Sequence, residues 1–334
     1  TKRTMAWGLA FMLASTVLRG LAVDFISLLG AVALFGIGGP LISIGVPKVT
    51  ALWFRGRQRG VAAGIYVSGR DVGFALALAT APSIVVSLTG SWRGISLVYG
   101  VILGVILVIW IRFARGDPSN VVEELTNNHP SGAVQALKWS QLLKMRNMQI
   151  VLILGFATFF VNHGLNGWMP TLLHESGMTI EAAGRWMSLA VMASMIGNLV
   201  MPAITPFGRR GFALAVTQMA AGITTLSLLY LGGPILIAVV MVNAALRQPV
   251  LQMLTLVLTD TPGIGPRQLG IAAGLFFTVA EIGGFSGPLI LGIVRDLTGS
   301  LNAGVVLAGV TIGVAALFAP LLKEHSQSLD SHGD

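Results

Sequence analysis

Ten stretches of this chain each hold about twenty or more mostly apolar residues, the length that crosses a hydrocarbon core as an α-helix. They cover about 5–22, 25–53, 61–86, 94–113, 147–171, 182–203, 212–231, 234–259, 268–293 and 302–322. Inside lipid a backbone must satisfy its own N–H and C=O groups, so long continuous apolar runs become helices. Only 10% of the 334 residues are charged, against about a quarter in a soluble domain. An all-α polytopic membrane protein is therefore expected. Gly36, Gly38, Gly39 and Pro40, and again Gly283, Gly284, Gly287 and Pro288, lie inside these stretches. Small residues let membrane helices approach closely, and proline bends them.

The chain also repeats itself. Residues 57–74 reappear as 267–284 at a constant offset of 267 − 57 = 210, with Arg57, Gly60, Ala63, Gly64 and Gly73 matching Arg267, Gly270, Ala273, Gly274 and Gly283. Farther on, Leu88, Thr89, Gly90 and Ser91 match Leu297, Thr298, Gly299 and Ser300 after one residue of slippage. Duplication over this distance in an apolar chain indicates two related helix bundles.

The longest polar stretch, 114–146, is the natural connection between them. The expected division is a partial first bundle of four spans at 1–113, a linker at 114–146, a six-helix bundle at 147–323 and a tail at 324–334. The repeated helix is third in the first part and fifth in the second. If the halves are equivalent, about ten of twelve spans are present and two are lacking at the amino end; the initial Thr1 agrees with that expectation.

Lys and Arg give the orientation. Fourteen of the 21 fall on one side, among them Lys2, Arg3, Arg57, Arg112, Lys144, Arg209, Arg210 and Lys323; only Arg19, Arg93 and Arg295 fall on the other. Cytoplasmic loops collect such bases, so linker and tail are expected in the cytoplasm. The +8 net charge forms no surface stripe, which excludes nucleic acid as the expected partner. With no cysteine, disulfides, thiolate zinc sites and thiol nucleophiles are excluded.

Several short stretches carry a family resemblance. Trp53, Phe54, Arg57, Gln58, Arg59 and Gly60 resemble the junction of the fourth and fifth helices of the major facilitator superfamily. Ser91, Trp92 and Arg93 resemble the opening of its sixth helix. Gly167, Trp168, Met169 and Pro170 resemble the end of its seventh, and Gly208, Arg209 and Arg210 its second short gating loop. The stretches 47–75 and 260–300 are most similar to the cyanate-permease-like branch. The resemblance implies a two-bundle secondary transporter in a bacterial or archaeal cytoplasmic membrane. It also implies a monomer without cofactor, and a central path lined here by 25–53, 147–171 and 234–259.

Polar groups on those spans are costly in hydrocarbon and so mark candidate sites. Asn243 and Arg247 share a face at i, i+4, and Gln248 with Gln252 repeats that spacing one position around. Arg247, near mid-span, offers a planar fork suited to a small anion; equally, it could be neutralised by a protein carboxylate with a gating role. Asn162 and Asn166 form another i, i+4 pair beside His163, which either accepts a proton or is structural. Lys48 is a second cationic contact or snorkels to the cytoplasm. Arg70 and Asp71 lie within 61–86, and Glu281 stands at the repeat position of Asp71 (281 − 71 = 210). These carboxylates either carry protons or pair with cations between the bundles.

The expected function is secondary transport of a small anionic solute by alternating access, coupled to protons. Two alternatives remain open: efflux of hydrophobic drugs, and a membrane enzyme or receptor. The polar pairs disfavour the first. Against an enzyme stands the lack of converging nucleophile, base and metal ligands, since His129, His325 and His332 fall in the linker or tail.

Overall fold

The structure, a computed structural model, describes residues 2–54, 56–116, 139–206, 208–261, 264 and 266–323. Its contacts divide the chain into two compact units, Thr1–Ala133 and Val134–Asp334.

The first unit opens with α1 (Lys2–Leu21) and α2 (Phe25–Trp53). Asp24 begins α2 by accepting the Ser27 N–H at 2.7 Å while the Ser27 hydroxyl accepts the Asp24 N–H, a reciprocal cap. The Ser27 backbone and hydroxyl hold the Asp24 carboxyl below its ordinary range. α3 (Gly56–Thr80) leads through a π-helical turn, Ala81–Val85, into the short α4 (Val86–Thr89). α5 (Trp92–Phe113) then runs back along α1. It is tied at both ends: Arg93 donates to the Ala22 carbonyl at 2.9 Å, and the Trp110 indole donates to Lys2 O at 3.1 Å.

In the second unit, α6 (Trp139–Leu142) precedes α7 (Arg146–Glu175), α8 (Ile180–Ile204), α9 (Arg210–Ser227), α10 (Gly233–Arg247), α11 (Val250–Thr259), α12 (Pro266–Thr298) and α13 (Asn302–Ala316). α6 falls within the stretch expected to be pure linker. Its Leu142 is fully buried beside Met148, Leu254 and Phe276, because an apolar side chain next to a packed bundle gains by leaving water. α7 is the centre of the unit. Of its most apolar window 72% is buried, against 28% for α8 and 28% for α12. α12 lies directly on it: a Cβ at Gly283 or Gly287 would come within 2.3 Å or 2.1 Å of the Phe156 or Phe160 carbonyl oxygen. Only glycine permits that approach.

Among the described residues nine helices are long and apolar enough to span a membrane, one fewer than expected. The exception is the expected span 212–231, which is the 18-residue α9. Thr217, Gln218 and Thr225 on it are buried, Gln218 and Thr225 completely. Its polar groups point at protein, so they lower its hydropathy without meeting lipid. The expected span 234–259 is also interrupted. Pro249 supplies no N–H and crowds the carbonyl four residues earlier, so α10 stops at Arg247 and α11 restarts at Val250.

The two copies of the repeat fold alike within their own units. Gly90 and Gly299 both adopt left-handed backbone, φ 66° and 71°. Their N–H groups close on Val86 O and Arg295 O at 2.8 Å each. The preceding threonines, Thr89 and Thr298, each bond back to the carbonyl four residues earlier at 2.7 Å. The following serines, Ser91 and Ser300, each accept the N–H two residues on, at 3.2 and 3.1 Å. Between repeat and turn the first copy has one residue more: 88 − 71 = 17 against 297 − 281 = 16. The π-helical turn Ala81–Val85 absorbs it, since widening one turn to i→i+5 accommodates a single insertion. α12 needs no such turn and is continuous.

Candidate functional site

The sequence singles out four polar residues on two separate spans, Asn162, Asn166, Asn243 and Arg247, and the structure brings all four together inside the second unit. Arg247 is the last residue of α10 and only 2% exposed. Its Nη1 donates to Asn162 Oδ1 at 2.7 Å and to the Val161 carbonyl at 3.4 Å. Nη2 donates to Asn166 Oδ1 at 3.0 Å, and Nε to Asn243 Oδ1 at 3.2 Å. The i, i+4 spacing of each asparagine pair lets one helix present two amide oxygens to one guanidinium.

A second layer fixes these amides. The Asn243 amide donates to Thr225 Oγ1 at 2.9 Å, Thr224 Oγ1 at 3.0 Å and the Ala221 carbonyl at 3.1 Å, all on α9. One turn away, Gln218 donates to Thr158 Oγ1 at 3.2 Å. Sequence reading passed over Thr158, Gln218, Thr224 and Thr225. For the three on α9 the one available signal was the low hydropathy of that span; Thr158 on α7 gave none.

Every oxygen around Arg247 is neutral. Among the described residues the ion pairs are Arg70–Asp71, Arg210–Asp260 and Arg295–Glu175, so the reading in which a protein carboxylate neutralises Arg247 is not what the described residues form. The guanidinium keeps its charge uncompensated, a state that costs about 2.5–3.5 kcal/mol at mid-membrane on insertion scales. The fork itself is closed off, with Arg247 only 2% exposed. Asn162 is 7% exposed and seals it, and the half-buried Asn166 is its outermost partner.

His163, next to Asn162 on α7, and Glu281 on α12 approach one another beside Gly284. A Cβ at Gly284 would lie 2.9 Å from His163 Nδ1 and 3.4 Å from Glu281 Oε2. Both side chains are exposed, and the His163 ring stands 5.3 Å from that of Phe159. Toward the far end of α7, the Trp168 indole donates to Pro288 O at 2.9 Å, with Arg295 stacked above the ring at 5.3 Å.

Other expected residues are placed differently. Gln248 is half-buried and joins no side-chain hydrogen bond among the described residues, because one residue past Arg247 is about 100° around the helix. Lys48 is exposed and belongs to the first unit. Arg70 pairs with its own neighbour, Nη2 to Asp71 Oδ1 at 3.0 Å; the flexible arginine stem overcomes the angular offset. Glu281, whose preceding residue is Ala280, lacks that partner. Arg209 is exposed, while Arg210 forms an ion pair with Asp260 at the end of α11, a partner sequence reading missed.

The Major Facilitator Superfamily profile matches residues 1–288. The chain belongs to this superfamily. It is 27% identical to the hexuronate transporter of Bacillus subtilis (strain 168), over 86% of this chain and 71% of that protein. It is 25% identical to the probable galactarate/D-glucarate transporter GudP of the same organism, over 82% of this chain and 65% of the relative. With the probable sulfoacetate transporter SauU of Cupriavidus necator it shares 24%, covering 94% and 75%. The chain thus spans about two thirds to three quarters of these relatives. Among solved structures, a bacterial homologue of the lysosomal transporter spinster superposes with a TM-score of 0.73 at 16% identity, covering 96% and 81%. The E. coli fucose:proton symporter FucP gives 0.64 at 15%, covering 97% and 84%. The structural likenesses show the fold, an all-α, multi-pass membrane architecture, and the superfamily and the relatives named are transporters rather than enzymes. The matches do not carry the finer cyanate-permease assignment.

Proposed function

We propose that the chain moves a small organic anion across the membrane as a secondary transporter, with Arg247 as the charge that meets the anion. The observation carrying this reading is the cage itself: one buried guanidinium held by four neutral oxygens, with no carboxylate among its partners. The names of relatives point the same way, since hexuronate, galactarate, glucarate and sulfoacetate are anions. A hydrophobic drug would need no such charge.

Binding then proceeds by exchange. Asn166, the outermost partner, withdraws its amide oxygen, and a carboxylate or sulfonate oxygen takes its place on Nη2. A carboxylate or sulfonate brings an opposite charge and a second oxygen for a bidentate pair with the guanidinium, neither of which an amide oxygen offers, and this drives the replacement. Amide donors of Asn162 and Asn166 face the remaining oxygens of the solute. His163 and Glu281 flank the entry, and we assign them the coupling proton: its arrival on Glu281 removes a negative charge that would repel the solute. Alternating access between the two bundles, with linker and tail cytoplasmic, completes the cycle.

The test is uptake of a labelled panel of hexuronates, aldarates and sulfoacetate into vesicles that contain the protein. Arg247→Gln is expected to abolish uptake while the protein still reaches the membrane. Uptake equal to that of the unmodified protein removes Arg247 from the site.

A further inference from the structure

Away from the polar cage, a groove of about 550 Å³ opens between α7, α12 and α13, within the ~300–1,000 Å³ range of small-molecule sites. Its lining is apolar: Ile153, Phe156, Val279, Val310, Val314 and Phe318 contribute. Several of these are open to the outside, Val314 at 51% and Ile153 at 45%. Val310 and Val314 are spaced i, i+4 on α13 and Phe318 follows just past its end, so the groove runs along the helix axis for about 12 Å.

Its end nearest the linker is basic. On α7, Arg146 precedes Ile153 by seven residues and Phe156 by ten, which sets all three on one face. Lys323 follows Phe318 by five residues and is clamped to the same end: Asn147 donates to its carbonyl at 2.7 Å and accepts its N–H at 2.9 Å. Lys144 stands two residues before Arg146. All three cations are exposed, and none of them is in an ion pair among the described residues.

We propose that this groove holds one acyl chain of an anionic phospholipid, whose phosphate is received by Arg146, Lys323 and Lys144. The juxtaposition carries the assignment. An aliphatic trough leading to a cluster of unpaired cations at the membrane surface matches a lipid with a negative headgroup, and neither part matches the polar solute of the transport site. A free phosphate would leave the trough empty, and a neutral lipid would leave the cations unmatched.

The experiment is native mass spectrometry of the protein released from nanodiscs of equimolar phosphatidylcholine and phosphatidylglycerol. The unmodified protein is expected to retain one phosphatidylglycerol in preference to phosphatidylcholine. Arg146→Gln with Lys323→Gln is expected to lower that preference roughly twenty-five-fold, at about fivefold per cation, and Arg146→Lys with Lys323→Arg to restore it. Val314→Trp, which fills the trough from an exposed position, is expected to abolish retention with the thermal midpoint in detergent unchanged. Equal retention of both lipids by the unmodified protein overturns the proposal. So does unaltered preference in the Gln pair, which would indicate that another segment or partner covers the groove, or retention that survives Val314→Trp.

Discussion

At the residue scale, the exchange reading separates two substitutions that a purely structural arginine would not. Asn166→Asp puts a carboxylate in place of the amide oxygen now 3.0 Å from Arg247 Nη2, so the protein neutralises its own guanidinium. Hydrogen bonds to charged groups are worth about 1.5–3 kcal/mol, and solute affinity is expected to fall roughly ten- to a hundredfold. Asn166→Ala removes the competing oxygen together with one amide donor to the solute, without adding charge, and is expected to lower affinity far less than Asn166→Asp. Equilibrium binding of the labelled solute to purified protein distinguishes them. Equal loss in both variants would make Asn166 a structural post. Asn243→Ala is a stability prediction instead. It strips α9 of three donated bonds and leaves Thr225 buried without that partner. A loss of about 1–3 kcal/mol is expected as a lowered thermal midpoint.

The cage was largely legible from sequence because spacing alone aligned Asn162 with Asn166 and Asn243 with Arg247 on their helix faces. What spacing cannot give is which faces of different helices meet. Hence the second layer on α9 and the Arg210–Asp260 pair were missed. Gln248 joins no side-chain hydrogen bond among the described residues, since the spacing that aligned Asn243 with Arg247 turns its neighbour about 100° away.

At the scale of elements, the glycines of α12 are the sharpest test of packing. Gly287→Val would drive a side chain into the Phe160 carbonyl, with a Cβ at 2.1 Å, and overpacking costs typically about 1–3 kcal/mol. Gly274→Val lies in open space on the same helix and is expected to cost far less. Thermal unfolding of the two variants side by side checks the difference. The repeat makes a second comparison. Its period, turn glycines and capping serines were all readable, and so was the one-residue slippage. Its resolution as a π-helical turn was not, because sequence records an extra residue but not which turn widens to hold it. Deleting Ser83 from that turn is expected to be tolerated better than deleting Val294 from the continuous α12, as judged by folded yield in detergent.

At the scale of the whole molecule, apolar length fixed the all-helical membrane class, and basic residues gave an orientation. The expected span 212–231 folds as α9, with Thr217, Gln218 and Thr225 turned to protein; hydropathy counts such polar atoms without knowing what they face. The chain has no cysteine, so single introduced cysteines report on sidedness without background. Cysteines at Lys144 and Lys323 are expected to react with an impermeant maleimide only from the cytoplasmic side, and one at Leu297 only from outside. Labelling of all three from one side would refute the orientation.

The most direct measurement is solute counterflow in vesicles bearing the protein or its Arg247→Gln form, each preloaded with an unlabelled hexuronate, aldarate or sulfoacetate. Counterflow needs neither an imposed gradient nor a coupling proton, so it reads the anion site alone. The unmodified protein is expected to exchange at least one of these anions, and the Gln variant none. Undiminished exchange by Arg247→Gln would contradict the assignment of the buried guanidinium as the anion's partner.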